Sequence, residues 1–596
     1  MKPTDDRSQR ARRGLSFPWS GRPVRTAALL CLLLGAVLVA SQKNPTPQAA
    51  QKKTIGTNVP LSFGQFHGLT ETVDYLRKVA AANPAITELM EIGRSTGNRP
   101  IYVLVVSNMK NGVAIDSLVA LQHPRTPVVK NVTPMKPYQG KPGQWIDGGL
   151  HGNERVGTEA CLYIIDKLVS AYGSDPEVTK LVDDSTFYLC PVPNPDVFAG
   201  LAEGKSATPD PAAEANGNFP EGWWKDDSTP GGTGVYPTSQ AEARWVVEFF
   251  TNHTNILLAQ SFDTGGTTTF RPFARWPESR VDARDLAVLD RVIGKKYLEL
   301  IGEAAPASWS APLPERTAGA PGQRGAGATT PPTDQAGGRG GRAVEQARGW
   351  RSPFNHERQA PFGYGLFYDW AYGQVGSFAM STQLPDAPRD GLAKVCESAW
   401  QFERYKATLL PQVEITDATA KVLYTTSQAT RAIATQDGQA VTVKKSGAPG
   451  RYKVIQVTAT IENKGPLPTH VATGATLHGN REDVIWLLGA TGKITFLEGS
   501  RWLKLGVLQG TLPLPAAPPA EAAAGGRGAP GGRGAPALPA LALGQMREQG
   551  LPPSAVPQTG SRRVVSWLVA VEGDAPLKLA LTSQKGGTRV KDLTIQ

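Results

Sequence analysis

The sequence predicts two folded parts of different class. One is an α/β domain, a mixed central sheet flanked by helices. The other is a C-terminal β-sandwich-like domain. Three observations carry this. Between about Val59 and Val413, short β-branched runs alternate with stretches of helical periodicity, the pattern of strands that cross over through helices. After residue 415 the pattern changes to period-two alternation, as in Ile455, Val457, Ala459 and Ile461, which turns one face of each strand to a core. Two Ala/Gly/Pro/Arg-rich segments, 304–359 and 515–563, interrupt these parts with little apolar content to bury.

The elements follow in order. Leu69 to Ala82 has helical spacing, with Val73, Leu76 and Val79–Ala80 on one face. Ile101–Val106 and Gln144–Leu150 read as buried strands, and Gly157–Ala171 as the helix after the second. Phe187–Cys190 is a strand stopped by Pro191, Ala241–Thr251 a helix and Asn255–Ser261 a strand. In the C-terminal part, Val565, Trp567, Val569 and Val571 alternate with other residues, as do Leu577, Leu579 and Leu581. The sandwich is expected from 416–514 and 564–596.

The N-terminus reads as an address. Seven basic residues and two acids in 1–25 precede the apolar run Ala27–Ala40. A basic stretch, a short apolar core and a small-residue end make a secretory signal, assigned to 1–41 and followed by a polar spacer, 42–58. The expected location is therefore secreted or periplasmic. The chain beyond the signal holds Cys161, Cys190 and Cys396, too few for a disulfide scaffold.

The formal net charge is +11. Residues 1–25 contribute +5, and the segments 304–359 and 515–563 contribute +3 each. The surplus thus belongs to the signal and to low-complexity arms, which excludes a folded nucleic-acid-binding face. The Arg/Gly arms leave contact with anionic cell-envelope components as an expectation. No phosphate-binding loop is present, which sets aside P-loop enzymes.

One stretch carries chemistry: Trp145-Ile-Asp-Gly-Gly-Leu-His151-Gly-Asn-Glu154-Arg155. His and Glu three apart, in a loop between strand and helix, can turn an imidazole nitrogen and a carboxylate oxygen to one point, a set that suits zinc. Pro193-Asn194-Pro195-Asp196 and Asp369-Trp370-Ala371-Tyr372-Gly373-Gln374 follow in order, and Ile92-Gly93-Arg94-Ser95 precedes them. Together these motifs resemble the carboxypeptidase A-like zinc carboxypeptidase family, over residues 59–415 apart from 304–359.

The resemblance implies one zinc ion, held by two His and one Glu at the sheet's C-terminal edge. It also implies a Glu as general base on water, Arg side chains on the substrate's carboxylate, and peptide or protein C-termini as partners. His151 and Glu154 match the first two metal ligands. Three positions depart from the family. Asp263, in Ser261-Phe262-Asp263-Thr264, stands where the third ligand is His. Gln383 stands where the base is acidic. The family's Asn-Arg pair falls on Asn216-Gly217. Tyr364 lies near the family's phenol but out of register, and Arg271 and Arg275 could supply a cation to substrate. Catalysis is therefore expected to be impaired or lost. An active metallopeptidase with altered ligands, or an envelope peptide- or glycan-binding module, are the alternatives.

Overall fold

The computed structural model describes residues 55–113, 136–202, 215–225, 233–309, 348–353, 362–386, 389–427, 430–434, 440–444, 452–477, 480–490, 492–514 and 560–596. The signal, nearly all of the spacer and most of both low-complexity segments lie outside these residues, as do the expectations drawn from them. No helix of the described residues is long and apolar enough to cross a membrane.

The first part is built on eight strands in the order β1-β2-β4-β3-β5-β8-β6-β7. They are β1 (Thr87–Arg94), β2 (Pro100–Val106), β3 (Gly143–Asp147), β4 (Thr186–Cys190), β5 (Ile256–Thr264), β6 (Thr267–Phe270), β7 (Arg348–Arg351) and β8 (Phe378–Leu384). Strands β4, β3, β5 and β8 are mutually parallel and central. β2 joins β4 antiparallel on one side, and β6 joins β8 antiparallel on the other. β3 and β4 are buried at every position. This is why neither strand alternates polar with apolar residues: both faces of a parallel sheet are covered.

The covering helices are α1 (Leu69–Ala82), α2 (Arg155–Ser170), α3 (Pro176–Asp184), α4 (Pro195–Ala202), α5 (Ala241–Asn252), α6 (Phe367–Gly373) and α7 (Arg389–Thr408). α1 buries Tyr75, Leu76 and Val79, and α2 buries Leu162, Ile165 and Leu168. The aromatic side of the core joins Trp145 of β3 to Phe249 and Phe250 of α5, with ring centroids 5.3 and 5.2 Å apart. Cys161, Cys190 and Cys396 are buried free thiols.

The C-terminal part forms two four-stranded antiparallel sheets, β14-β16-β12-β9 and β15-β13-β17-β18. Here β9 is Val413–Thr426, β12 Tyr452–Asn463, β13 Asp483–Gly489, β14 Ile494–Glu498, β15 Trp502–Gly506, β16 Arg562–Glu572, β17 Leu577–Ser583 and β18 Gly587–Leu593. A separate hairpin pairs β10 (Thr430–Ala434) with β11 (Ala440–Lys444). The alternating residues of both sheets meet in one apolar cluster containing Ile455, Val457, Ile461, Trp567, Val569, Leu579 and Leu581.

Two segment boundaries need correction. The tail of 304–359 is not empty of structure. β7 pairs with β6, and Trp350 is buried with its indole N–H donating to Asp290 at 2.8 Å. Likewise Arg563, placed in the second arm, is buried in β16 and donates to the carbonyls of Leu505, Gly560 and Val507. Composition averaged over a window hides one tryptophan or arginine that finds partners far away in the chain.

The two parts are bolted together by buried polar groups. Lys585, 1% exposed in the β17–β18 turn, donates to the carbonyls of Ile256, Val375 and Gly376 at 2.9, 2.8 and 3.0 Å, and to the Ser377 hydroxyl at 3.3 Å. Burial pushes its ammonium down to about 7, and the four acceptors oppose that by favouring the charged form. Asp285 accepts from the backbone N–H groups of Ala472 and Thr473 and from the Tyr372 hydroxyl. Lys585→Met keeps the stem and removes the donors, so it should cost about 2–4 kcal/mol, because buried carbonyls lose their partner. Urea unfolding measures this, and a change below about 0.5 kcal/mol would contradict the bolt.

Candidate metal centre

Parallel strands place their C-terminal ends at one edge, where loops can converge on a ligand. β3 ends at Asp147, β5 runs through Asp263, and β8 runs through Gln383. In register, Asp147 pairs with Ser261, Ser261 with Ser381, and Asp263 with Gln383. Residues two apart on a strand share a face. All five side chains therefore line one face of the sheet at one edge.

The loop after β3 is forced into shape by glycine. Gly149 has φ +98°, and a Cβ there would stand 2.6 Å from the Phe262 carbonyl. Gly157, at the start of α2, would meet that same oxygen at 2.3 Å and the Gly148 carbonyl at 2.5 Å. The chain thus threads against β5 and delivers His151. The backbone N–H of Glu154 donates to the His151 carbonyl at 2.9 Å, closing a turn that turns both side chains together. Glu154 is the N-cap of α2, but its carboxylate does not cap that helix. It reaches across to β5 instead.

His151 Nδ1 lies 3.5 Å from Glu154 Oε1 and 3.5 Å from Asp263 Oδ1. The three side chains offer ligand atoms all within 4.8 Å of one another. Atoms bound to a tetrahedral zinc ion at roughly 2.0–2.2 Å stand about 3.3–3.6 Å apart, so these residues fit one divalent ion. The second carboxylate oxygens are already used. Glu154 Oε2 accepts from the Thr264 N–H at 2.6 Å, and Asp263 Oδ2 accepts from the Ser381 hydroxyl. Buried Asp263 Oδ1 has no hydrogen-bond partner. One oxygen of each acid is thus oriented by the protein and the other is turned toward His151, as outer-shell partners orient metal ligands.

The electrostatics agree. Burial, and then the neighbouring Asp263 charge, push Glu154 up to about 7. Burial also pushes Asp263 upward, but the His151 contact and the Ser381 hydroxyl outweigh it and hold this acid below its ordinary value. Two acids meeting beside one imidazole form a site that a divalent cation would neutralise. Behind it, Asp147 accepts from Trp145 Nε1 at 2.8 Å, Ser261 Oγ at 2.7 Å and the Gly149 N–H at 3.1 Å. Its burial pushes it up to about 7.

Gln383 is half-buried beside Asp263 and also faces Thr268 across β6. Asn216 is half-buried, and its Oδ1 accepts from the Phe367 N–H at 3.2 Å, at the start of α6. Tyr364 is half-exposed beside Gly217, whose hypothetical Cβ lies 3.7 Å from the Tyr364 carbonyl. Arg271 does not present its fork to substrate. It is 5% exposed and donates to Asp290 at 2.5 and 3.1 Å, to Glu278 at 2.5 Å and to the Pro272 carbonyl at 3.2 Å. The expectation that it offers a cation to substrate is corrected, because two acids from the following turns claim it. Sequence reasoning also missed Ser381 and Asp147. For Ser381 the signal was Gln383 two places on in the same strand; for Asp147 it was a carboxylate at the end of a strand just before the His151 loop.

The chain matches the zinc carboxypeptidase family over residues 72–402. Residues 439–594 match a domain of unknown function, DUF8731. Mouse carboxypeptidase A2 is 26% identical over 218 residues, covering 34% of this chain and 45% of that protein. Pig carboxypeptidase A1 is 25% identical over 266 residues, covering 40% and 56%. The chain thus spans about half the length of these relatives. Among solved structures, carboxypeptidase A from Helicoverpa armigera superposes with a TM-score of 0.40 at 17% identity, covering 60% of this chain and 76% of that one.

Metal affinity tests the arrangement. Glu154→Gln and Asp263→Asn should each weaken zinc binding by at least about 100-fold, and Ser381→Ala by about 10-fold, the range for an orienting partner. Competition with a chromogenic chelator measures all three, and an unchanged affinity in Asp263→Asn would remove that residue from the site.

Proposed function

The chain belongs to the zinc carboxypeptidase family, and from that premise we propose that it is an exported, metal-binding relative that engages peptide or protein C-termini while its hydrolytic chemistry is impaired or lost. The observation that supports this most is the position of Gln383. It lies directly beside Asp263 in the parallel register, next to the residues that would hold the ion. An amide there donates or accepts a hydrogen bond but takes no proton from water at neutral pH. Losing a general base typically costs about 10²–10⁴-fold.

No other described carboxylate replaces it. Asp147 is buried and its oxygens already accept three hydrogen bonds. Glu154 and Asp263 are committed to the metal group. His151, Glu154 and Asp263 would hold the cation, and Thr264 and Ser381 would keep the two acids turned to it. A divalent ion at that point supplies Lewis-acid polarisation of a carbonyl oxygen. With two carboxylates in the set it would be a weaker Lewis acid than with two imidazoles, and harder metals would be better accepted. Gln383 is left to hydrogen-bond the peptide near its last bond. The basic and apolar segment 1–41 supports export, and the two C-terminal sheets are read as a sandwich that stabilises the first part through Lys585 and Asp285.

Zinc-loaded protein should release no C-terminal residue from a peptide library above the enzyme-free control. Asp263→His combined with Gln383→Glu should bring release above that control. Release by the unsubstituted protein that Glu154→Ala abolishes would overturn the impaired reading and favour an active peptidase with altered ligands.

A further inference from the structure

We propose that residues 56–67 form a strap that sets the metal loop, with His67 and Arg155 as positioning residues that hold Glu154 where the ion would bind. The inference rests on the metal-binding reading above and goes on to the residues that orient its ligand.

The need for a strap follows from what Glu154 does. It is the N-cap of α2, yet its carboxylate is turned to His151 and to the Thr264 N–H. A helix start without a side-chain cap lacks a partner for its first backbone N–H groups and frays more readily. Such a cap is worth about 1 kcal/mol. The first turn of α2 must be held from outside instead, because fraying would carry Glu154 away from His151 and Asp263.

The strap supplies that hold. It runs along α2 in the opposite direction. At its far end the Gly56 N–H donates to the Tyr172 carbonyl at 2.9 Å, and a Cβ on Gly56 would stand 1.8 Å from the Val169 carbonyl. Val59, Leu61 and Phe63 alternate along it and pack on the apolar cluster that contains Leu162, Ile165 and Leu168, as an extended chain turns every second residue inward. The Phe63 ring meets that of Tyr163 edge-on, 4.8 Å away. At the near end the His67 N–H donates to Glu159 Oε1 at 2.7 Å, and His67 Nδ1 lies 2.8 Å from Glu159 Oε2. Both side chains are buried, so one residue of the strap meets both oxygens of a buried carboxylate in the first turns of α2.

Arg155 closes the arrangement. It directly follows Glu154, and its Nη2 donates to the His67 carbonyl at 2.9 Å. Its guanidinium carbon lies 5.2 Å from the Phe66 ring centroid and 5.8 Å from that of Phe198. Phe198 belongs to α4, whose start lies against the metal loop. A Cβ on Gly152 would stand 2.6 Å from the Asn194 carbonyl and 2.9 Å from the Phe198 nitrogen. Arg155 is thus gripped between the strap and α4, with Glu154 one residue away.

The two ends of the strap are separate handles. Helix α2 has 16 residues, which sets its ends about 24 Å apart at 1.5 Å per residue. At the far end the Asn83 side chain accepts from the Thr57 N–H at 2.6 Å and donates to the Thr57 carbonyl at 3.0 Å. Loosening that tie lowers stability without touching Glu154.

The test is competition for zinc between a chromogenic chelator and the protein, with thermal midpoints and amide hydrogen exchange of the metal-free forms. Arg155→Met keeps the stem on its two rings and removes the donor. It and His67→Phe should each weaken zinc binding by about 10-fold or more, the range for an orienting partner. Both should speed exchange of the N–H groups of residues 154–159 by about 10-fold or more. Glu159→Gln keeps an acceptor for the His67 N–H, so it should act in the same direction with a smaller effect, and it stands in if His67→Phe does not fold. Asn83→Ala should lower the thermal midpoint and leave zinc affinity unchanged. Unchanged zinc affinity in Arg155→Met and His67→Phe overturns the strap and leaves the metal reading standing. So does a loss of affinity in Asn83→Ala equal to theirs at the same drop in midpoint. Absence of zinc binding by the unsubstituted protein overturns the metal reading, and the role of the strap with it.

Discussion

The parallel register of β3, β5 and β8 is the constraint on which the site depends. It sets Asp147 beside Ser261, and Asp263 beside Gln383 with Ser381 one pleat below. A slip of one residue on any of these strands would turn its polar side chains to the other face. That other face carries its own buried network, which resists such a slip. Gln144 donates to Glu403 at 2.5 Å, Lys406 pairs with Glu403 at 2.8 Å and donates to Gln260 at 2.7 Å, and Gln260 donates to Thr382 at 2.9 Å. Helix α7 thereby holds three strands in register from behind, while the metal group sits in front.

From that register the electrostatics follow. Glu154 and Asp263 are brought together in a setting that favours one charge more than two. Each is held in place by a donor from the neighbouring backbone or strand, and each turns one oxygen to His151. The site is preorganised for a cation, but the position beside it that would take a proton carries an amide. On the function proposed above, binding and hydrolysis rest on different side chains of the same sheet edge.

The two arginines after β6 lie four residues apart and have opposite fates. Arg271 is drawn into the core by Asp290 and Glu278, while Arg275 is carried by aromatic rings at the wall beside Gly217. The C-terminal sheets meet this framework at Asp285, which takes the Ala472 and Thr473 N–H groups, and at Lys585, which takes the Val375 carbonyl and the Ser377 hydroxyl at the entry to β8. They support the strand that carries Gln383 and Ser381 without entering the site.

Much was legible in the sequence because it is local. Buried strands appear as short stretches rich in large apolar residues, α1 and α2 as 3.6-residue periodicity, and the C-terminal strands as alternation. His151 and Glu154 lie within one loop, so their spacing was enough to pair them. Resemblance to a family then pointed to Asp263 and Gln383 as replacements. What the sequence alone could not decide was every relation between segments distant in the chain. Strand β8 and helix α7 passed unmarked, since their polar residues find partners more than a hundred residues away, and β7 lay inside a low-complexity segment, where Trp350 finds Asp290. Ser381 as the donor to Asp263, Lys585 as the bolt between parts, and the opposite fates of Arg271 and Arg275 belong to the same class. Residue type and spacing determine which chemistry a segment can offer. Only the packed structure determines which donors are already spent on buried acceptors and which are left for a ligand, because that depends on what lies across the sheet.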